Sequence, residues 1–186
     1  IESVPGTAGL LVPPVGYLDG IRALCDKYGI LWISDEVMAG FGRTGKWFAY
    51  QHSKSTPDLI VFAKGVTSGY LPLGGVIISG PIAATFDERV FPGGLTDSGH
   101  PLACATAVAT IDVMKSEKMV ENIASIGEKI VGPGLHAIAK KHQLVGDVRG
   151  QGLFLGFELV DQNLKPLPEQ AQYLVNRIKE HHILMS

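Results

Sequence analysis

Cysteine is scarce in this chain: only Cys25 and Cys104 occur among 186 residues. Two thiols in helix-like surroundings make no disulfide framework, and both read as reduced, small core residues. Neither a CxxC nor an HExxH pattern occurs, so the common metal-ligand spacings are lacking. An excess of one charge is lacking too. Sixteen Lys and Arg stand against 18 Asp and Glu, a formal net charge of −2, which argues against a broad basic surface for nucleic acid. No window approaches the roughly 18 continuous apolar residues of a membrane span, and the first residues lack the charged start and apolar core of a secretory signal. The expectation is a cytoplasmic protein with no membrane or nucleic-acid partner. What remains is 46% hydrophobic and 18% charged, enough apolar material to bury a core.

Along the chain, Pro13 and Pro14 break an opening loop. Val15 to Tyr28 then has helical spacing through Leu18, Ile21, Leu24 and Cys25, with Gly29 as its stop. Ile30 to Ile33 reads as a buried strand with Asp35 just past its carboxyl end. Leu59 to Phe62 repeats the pattern and delivers Lys64, and Gly75 to Ser79 is a third strand-like run. This alternation predicts an α/β layered domain. Pro101 suits the first turn of a helix over Leu102–Met114. Met119, Ile123, Ile126 and Ile130 predict another helix, kinked by Gly132-Pro133-Gly134 before Leu135 and Ile138 resume. Two short strands are expected between Val145 and Val160, then a last helix over Glu169–His181. Composition places a soft boundary that divides the chain into 1–118 and 119–186.

Open parallel sheets bind ligands at the carboxyl ends of their strands, and here two successive strand ends carry Asp35 and Lys64. A carboxylate to hold a ring nitrogen protonated and an amine to form an imine are what pyridoxal phosphate chemistry requires. A free lysine, with a pKa of about 10.4, is charged near neutrality, so burial beside the cofactor is expected to bring Lys64 into range. Ala63 and Gly65 leave room for a ring. Two solvated charges are the plain alternative. Adjacent residues in an extended strand project oppositely, so only one of Asp35 and Glu36 can face a ring; Val37 returns to the side of Asp35, as a ring contact or a core valine. Thr96, with Ser98 and Gly99, precedes a helix start, where a hydroxyl and backbone amides suit a phosphate; the alternative for Thr96 or Ser98 is a helix cap. Gly40 to Lys46 imitates the GxxxxGK half of a nucleotide loop, but Trp47 replaces the Ser or Thr that would hold magnesium. Its glycines are better read as a tight loop anchored by Arg43. His100 reads as a satisfied structural histidine.

The stretch DEVMAGFGRTG from Asp35 to Gly45, with AKG at 63–65 and TDSGHPLACA at 96–105, resembles the class III aminotransferases of the fold type I pyridoxal phosphate superfamily. The opening ESVPGTAGLLVPPVGYLDGIRALCDKYG and the later VGDVRGQGLFLGFEL extend that resemblance over essentially the whole chain. It implies part of a large mixed-sheet domain followed by part of a small α+β C-terminal domain. It also implies catalytic Lys64 and Asp35 and a cofactor site of Asp35, Val37, Met38, Lys64 and Thr96, with no metal. Thr96 would reach the cofactor phosphate of a partner subunit, making a homodimer with shared active sites. Arg149 becomes a structural residue of the small-domain hairpin. Met38 stands where many members carry a glutamine that reaches the ring hydroxyl, and a thioether cannot donate that bond. Thr7 replaces a glutamate of the ornithine-type members, whereas Glu2 keeps the first glutamate of that segment.

The implied reaction moves an amino group from an amine or omega-amino acid to a 2-oxo acid through a Lys64 imine. Decarboxylation, racemisation or amino migration on the same residues, or a silent domain that keeps the fold, are the alternatives. Both ends read as cut, with the glycine-rich phosphate loop expected before Ile1 and the substrate-gripping arginine beyond Ser186. The isolated stretch is therefore expected not to turn over substrate.

Overall fold

In the computed structural model, which describes residues 1–185, helix α1 (Tyr17–Tyr28) starts later than Val15 because Gly16 takes a left-handed conformation, φ 85°. Gly29 ends it as expected: its φ is 63° and its N–H reaches the Cys25 carbonyl. Leu18 and Cys25 bury against Trp32, with Ile21 and Tyr50 packed around them, while Leu24 stays exposed.

The strand expected over Ile30–Ile33 is displaced. Strand β1 is Ile33–Asp35, and Ile30, Leu31 and Ile33 are exposed; only Trp32 is buried. The ladder with β2 (Leu59–Phe62) begins only at Ile33, in parallel register Ile33↔Leu59, Ser34↔Ile60 and Asp35↔Val61. One residue earlier the Asp58 carboxylate accepts the Trp32 N–H at 2.7 Å, so a side chain substitutes for a strand partner. β3 (Gly75–Ile78) then pairs antiparallel with β2. The sheet order is β1-β2-β3, and a parallel bridge from Glu2 to Asp35 adds the opening residues beside β1. The short helix α2 (Gly80–Ala84) follows.

Pro101 opens α3 (Pro101–Ser116), after which Lys118 reverses the chain at φ 51° into α4 (Met119–Ile126). The predicted kink lies upstream of its glycines. Gly127–Val131 forms a π-helical turn, and α5 (Gly132–Lys141) begins after it. Pro133 has no N–H to return to Lys129, and the Gly132 N–H reaches back to the Gly127 carbonyl instead. β4 (Val145–Gln151) and β5 (Phe154–Leu159) form an antiparallel hairpin, and α6 (Pro168–Lys179) closes the described chain.

Phe41 organises the core beside the strand ends. It buries with Val66, Ala107, Met114 and Val120, which joins the loop after β1, the turn after β2, and helices α3 and α4. Its ring meets Phe48 and Phe62 edge to face, at 5.5 and 5.8 Å between centroids. Such aromatic pairs add about 0.5–1.5 kcal/mol to the burial itself. Among the described residues no helix is long and apolar enough to cross a membrane.

Candidate active site

The register settles the relation between the two strand ends. Asp35 is the last residue of β1 and lies opposite Val61, so Lys64 follows shortly after on the neighbouring parallel strand. Asp35 is half-buried; its Oδ1 accepts the Val37 N–H at 3.1 Å, and its own N–H reaches the Ile1 carbonyl at 2.8 Å. Lys64 opens a short 3₁₀ turn, Lys64–Thr67, with φ 44°. A side chain in that left-handed region carries strain of about 1–2 kcal/mol. What holds it there is the burial of Val66 and Thr67 just behind, with the Thr67 hydroxyl donating to the Leu71 carbonyl at 2.6 Å.

Lys64 is exposed, and it lines a cleft of about 800 Å³ with Arg43, Ser68, Tyr70 and Thr110. Gly65 is small for another reason: a Cβ there would lie 2.7 Å from the Cβ of Phe41, so the glycine admits the core phenylalanine rather than a ring from outside.

Extended pairing reaches as far as Glu36, whose N–H donates to the Val61 carbonyl at 2.9 Å, and stops there, so the alternation that would carry Val37 back to the side of Asp35 fails. Residues 37–40 form a turn, closed by the Gly40 N–H on the Glu36 carbonyl at 2.9 Å. Met38 points its thioether at the opening loop, where a Cβ on Gly6 would come within 2.8 Å of both its Sδ and Cε. Its carbonyl accepts from the Arg43 guanidinium at 2.8 Å, the backbone anchor expected of Arg43. Burial holds the Arg43 guanidinium below its ordinary pKa.

Glu36 is the residue that sequence reasoning passed over. It is 0% exposed. Its Oε1 lies 2.8 Å from the Ser3 hydroxyl, 3.1 Å from the Ser34 hydroxyl and 2.8 Å from the Tyr50 N–H, while Oε2 accepts the Ala49 N–H at 2.7 Å. Hydrogen bonds to a carboxylate contribute about 1.5–3 kcal/mol each, which offsets the cost of burying the group. The period-two spacing of Ser34 and Glu36 was a visible signal; Ser3, Ala49 and Tyr50 were not.

The loop after this turn is gripped by the distant hairpin. The Arg43 carbonyl accepts both the Leu153 and Phe154 N–H groups at 3.0 Å. Gly152, at φ 60°, sits so close that a Cβ would lie 2.5 Å from the Thr44 carbonyl carbon. Gly127 packs on the other side of the same joint, with no room for a Cβ against Gly152. Arg149 is structural, as expected: it donates to the Gly9 carbonyl at 2.7 Å and pairs with Asp147 and Glu158.

Thr96 stands apart from these groups, in an exposed stretch before α3. It does not cap the helix, and neither does Ser98. The cap position is His100, without a side-chain capping bond, and the Ser98 hydroxyl instead accepts the Leu95 N–H at 3.1 Å. His100, read as a satisfied structural histidine, is exposed and stands at the N-terminal cap position of α3. Cys25 is buried and Cys104 half-buried, both free thiols. No group of His, Cys, Asp and Glu among the described residues could hold a metal ion.

Solved structures share this fold. The taurine:2-oxoglutarate aminotransferase from Bifidobacterium kashiwanohense, solved in complex with PLP and glutamate, superposes with a TM-score of 0.94 at 40% identity, over 100% of this chain and 43% of that one. Mixed sheet and hairpin together define an α/β domain of the fold type I transaminases. Residues 1–185 match the family described as aminotransferase class-III, and the chain belongs to that family. A taurine–pyruvate aminotransferase from Bilophila wadsworthia is 38% identical over 100% of the chain, and an alanine/serine racemase from Pyrococcus horikoshii is 40% identical over 91%. The chain spans 42% and 35% of the lengths of these two relatives.

Proposed function

We propose that this chain supplies the ring-binding and lysine-bearing part of a pyridoxal phosphate-dependent transaminase that moves an amino group from an amine or omega-amino acid to a 2-oxo acid. The observation that carries the proposal is the parallel register that sets Asp35 and Lys64 at neighbouring strand ends. The donor set fits the cofactor. Asp35 uses one carboxylate oxygen on its own turn and keeps the other for a ring nitrogen. Lys64 has no ion-pair partner among the described residues; the cleft it lines is walled by Arg43, α3 and α4 rather than by Asp35.

Bound there, pyridoxal phosphate would supply an aldehyde and an electron-withdrawing ring next to the substrate carbon. Lys64 Nζ would tether the cofactor and would move a proton at the substrate carbon. Asp35 orients the ring and holds its nitrogen protonated. By the family resemblance alone, Val37 and Met38 would bound the ring, and the Thr96 hydroxyl would donate to the phosphate in the site of a partner subunit, so that the working form would be a homodimer with shared sites. In this reading 1–118 belongs to the large domain and 119–186 to the small one, and the enzyme works in the cytoplasm.

Borohydride reduction of the complete protein, followed by peptide mass analysis, tests the assignment: the cofactor adduct is expected on Lys64, and an adduct on another lysine refutes it. The resemblance to an alanine/serine racemase supports racemisation as a second reading. With a nitrogen-labelled amino donor and a 2-oxo acid, transfer of the label supports the transaminase, whereas an inverted amino acid that keeps its label supports the racemase.

A further inference from the structure

We propose that Glu36 is a positioning residue for Asp35: a buried carboxylate, anchored from three separate segments, that fixes which way its neighbour points. The proposal rests on the reading of Asp35 as the carboxylate that meets the cofactor ring. Successive side chains at the end of an extended strand project to opposite sides, so whatever locks Glu36 inward directs Asp35 outward. Asp35 does not fix itself, since its side chain makes one hydrogen bond, to the N–H of Val37 within its own turn. Glu36 is held far more firmly. Ser3 reaches it from the opening residues, Ser34 from β1, and the Ala49 and Tyr50 N–H groups from the first turn of the short helix Ala49–His52. Ser3 and Ser34 are 1% and 0% exposed. Gly40 closes the cover, because a Cβ there would lie 2.7 Å from the Glu36 carbonyl oxygen.

All four donors are neutral, and two are backbone N–H groups facing different oxygens. An amide in place of this carboxylate turns an N–H toward an N–H whichever way it is flipped. Glu36→Gln therefore disturbs the anchor while changing side-chain volume little.

The experiment is a double-mutant cycle on the complete protein, read as the Kd for pyridoxal phosphate by equilibrium dialysis of the apo form. Asp35→Asn, Glu36→Gln and their combination make the cycle. Leu18→Ala, in the cluster around α1, serves as a control for general destabilisation. Glu36→Gln is expected to weaken cofactor binding about tenfold, and to add less than about twofold when Asp35 is already Asn, because it acts through that residue. Leu18→Ala should lower the melting temperature without a matching change in Kd. An unchanged Kd in Glu36→Gln, full additivity with Asp35→Asn, or an equal loss in Leu18→Ala overturns the positioning role. An unchanged Kd in Asp35→Asn alone overturns the underlying reading of Asp35 instead. Where Glu36→Gln does not fold, Ser34→Ala removes one donor, keeps the carboxylate, and carries the same cycle to the same outcomes.

Discussion

The segments around Glu36 and the stretch around Thr96 are built on opposite principles. The first, residues 33–50 with the opening Ser3, is held by buried hydrogen bonds, a phenylalanine core and glycines that leave no room for a methyl group. The second, residues 90–100, is exposed throughout; its side-chain bond is that of Ser98 to the Leu95 N–H. One end of the proposed site rests on buried internal contacts, while the other presents a hydroxyl on an exposed loop. Pre-organisation raises affinity by removing ordering costs. In the function proposed above, the ring end would set the chemistry and the phosphate end would be completed by the partner subunit.

Substitutions can break or sharpen that contrast. The largest effect is expected for Lys64→Ala, which should lower the transamination rate of the complete protein about 10³-fold or more, as loss of a positioned general base does. Steady-state rates with saturating cofactor check it, and a rate near wild type would remove Lys64 from the site. Asp35→Asn should cost about 10²–10³-fold in the same assay, the scale of losing one charge-stabilising group. Gly152→Ala should lower stability by about 2 kcal/mol, because a Cβ would press on the Thr44 backbone at a left-handed φ; a denaturant midpoint at the wild-type value would show that the joint yields.

Thr96→Ala should weaken cofactor binding about tenfold, the worth of one good hydrogen bond to a charged group, and leave the melting temperature unchanged. A fall in melting temperature of the apo protein would mean that the loop is more than an open phosphate arm. The smallest effect concerns His52, whose Nε2 lies 3.1 Å from the Thr44 carbonyl. Burial holds its pKa below the usual histidine value, outweighing the raising effect of that carbonyl. Protons therefore bind the unfolded chain more readily, and stability should fall as pH drops below about 6.5, the unfolded histidine value. Denaturant titrations at several pH values should show a shallower slope for His52→Gln; an unchanged slope assigns the loss to other groups.

Much of the fold was legible because its signals are local. Leu59–Phe62 is a strand where the apolar run placed it, Gly29 stops α1, and Pro101 opens α3. Misreadings came where distant segments intervene. Ile30 and Leu31 look like interior residues, yet the ladder starts after them because Asp58 takes the Trp32 N–H. The predicted kink moved upstream to a π-turn, where Gly127 meets Gly152 across the joint. Gly65 was assigned to a ligand when it answers to Phe41.

By itself the sequence determined which groups can do chemistry here: an amine, a carboxylate and a hydroxyl at the ends of recognisable elements, in an order that marks the family. Residue type and short-range periodicity are enough for that, since both act over a few positions along the chain. Only the tertiary structure decided what holds those groups. The buried seat of Glu36 and the hairpin grip on Arg43 join residues far apart in sequence, and the left-handed turn at Lys64 is backed by Val66 in the core with Phe41, Ala107 and Met114. Their cost and stability depend on packing and desolvation, which no local pattern records.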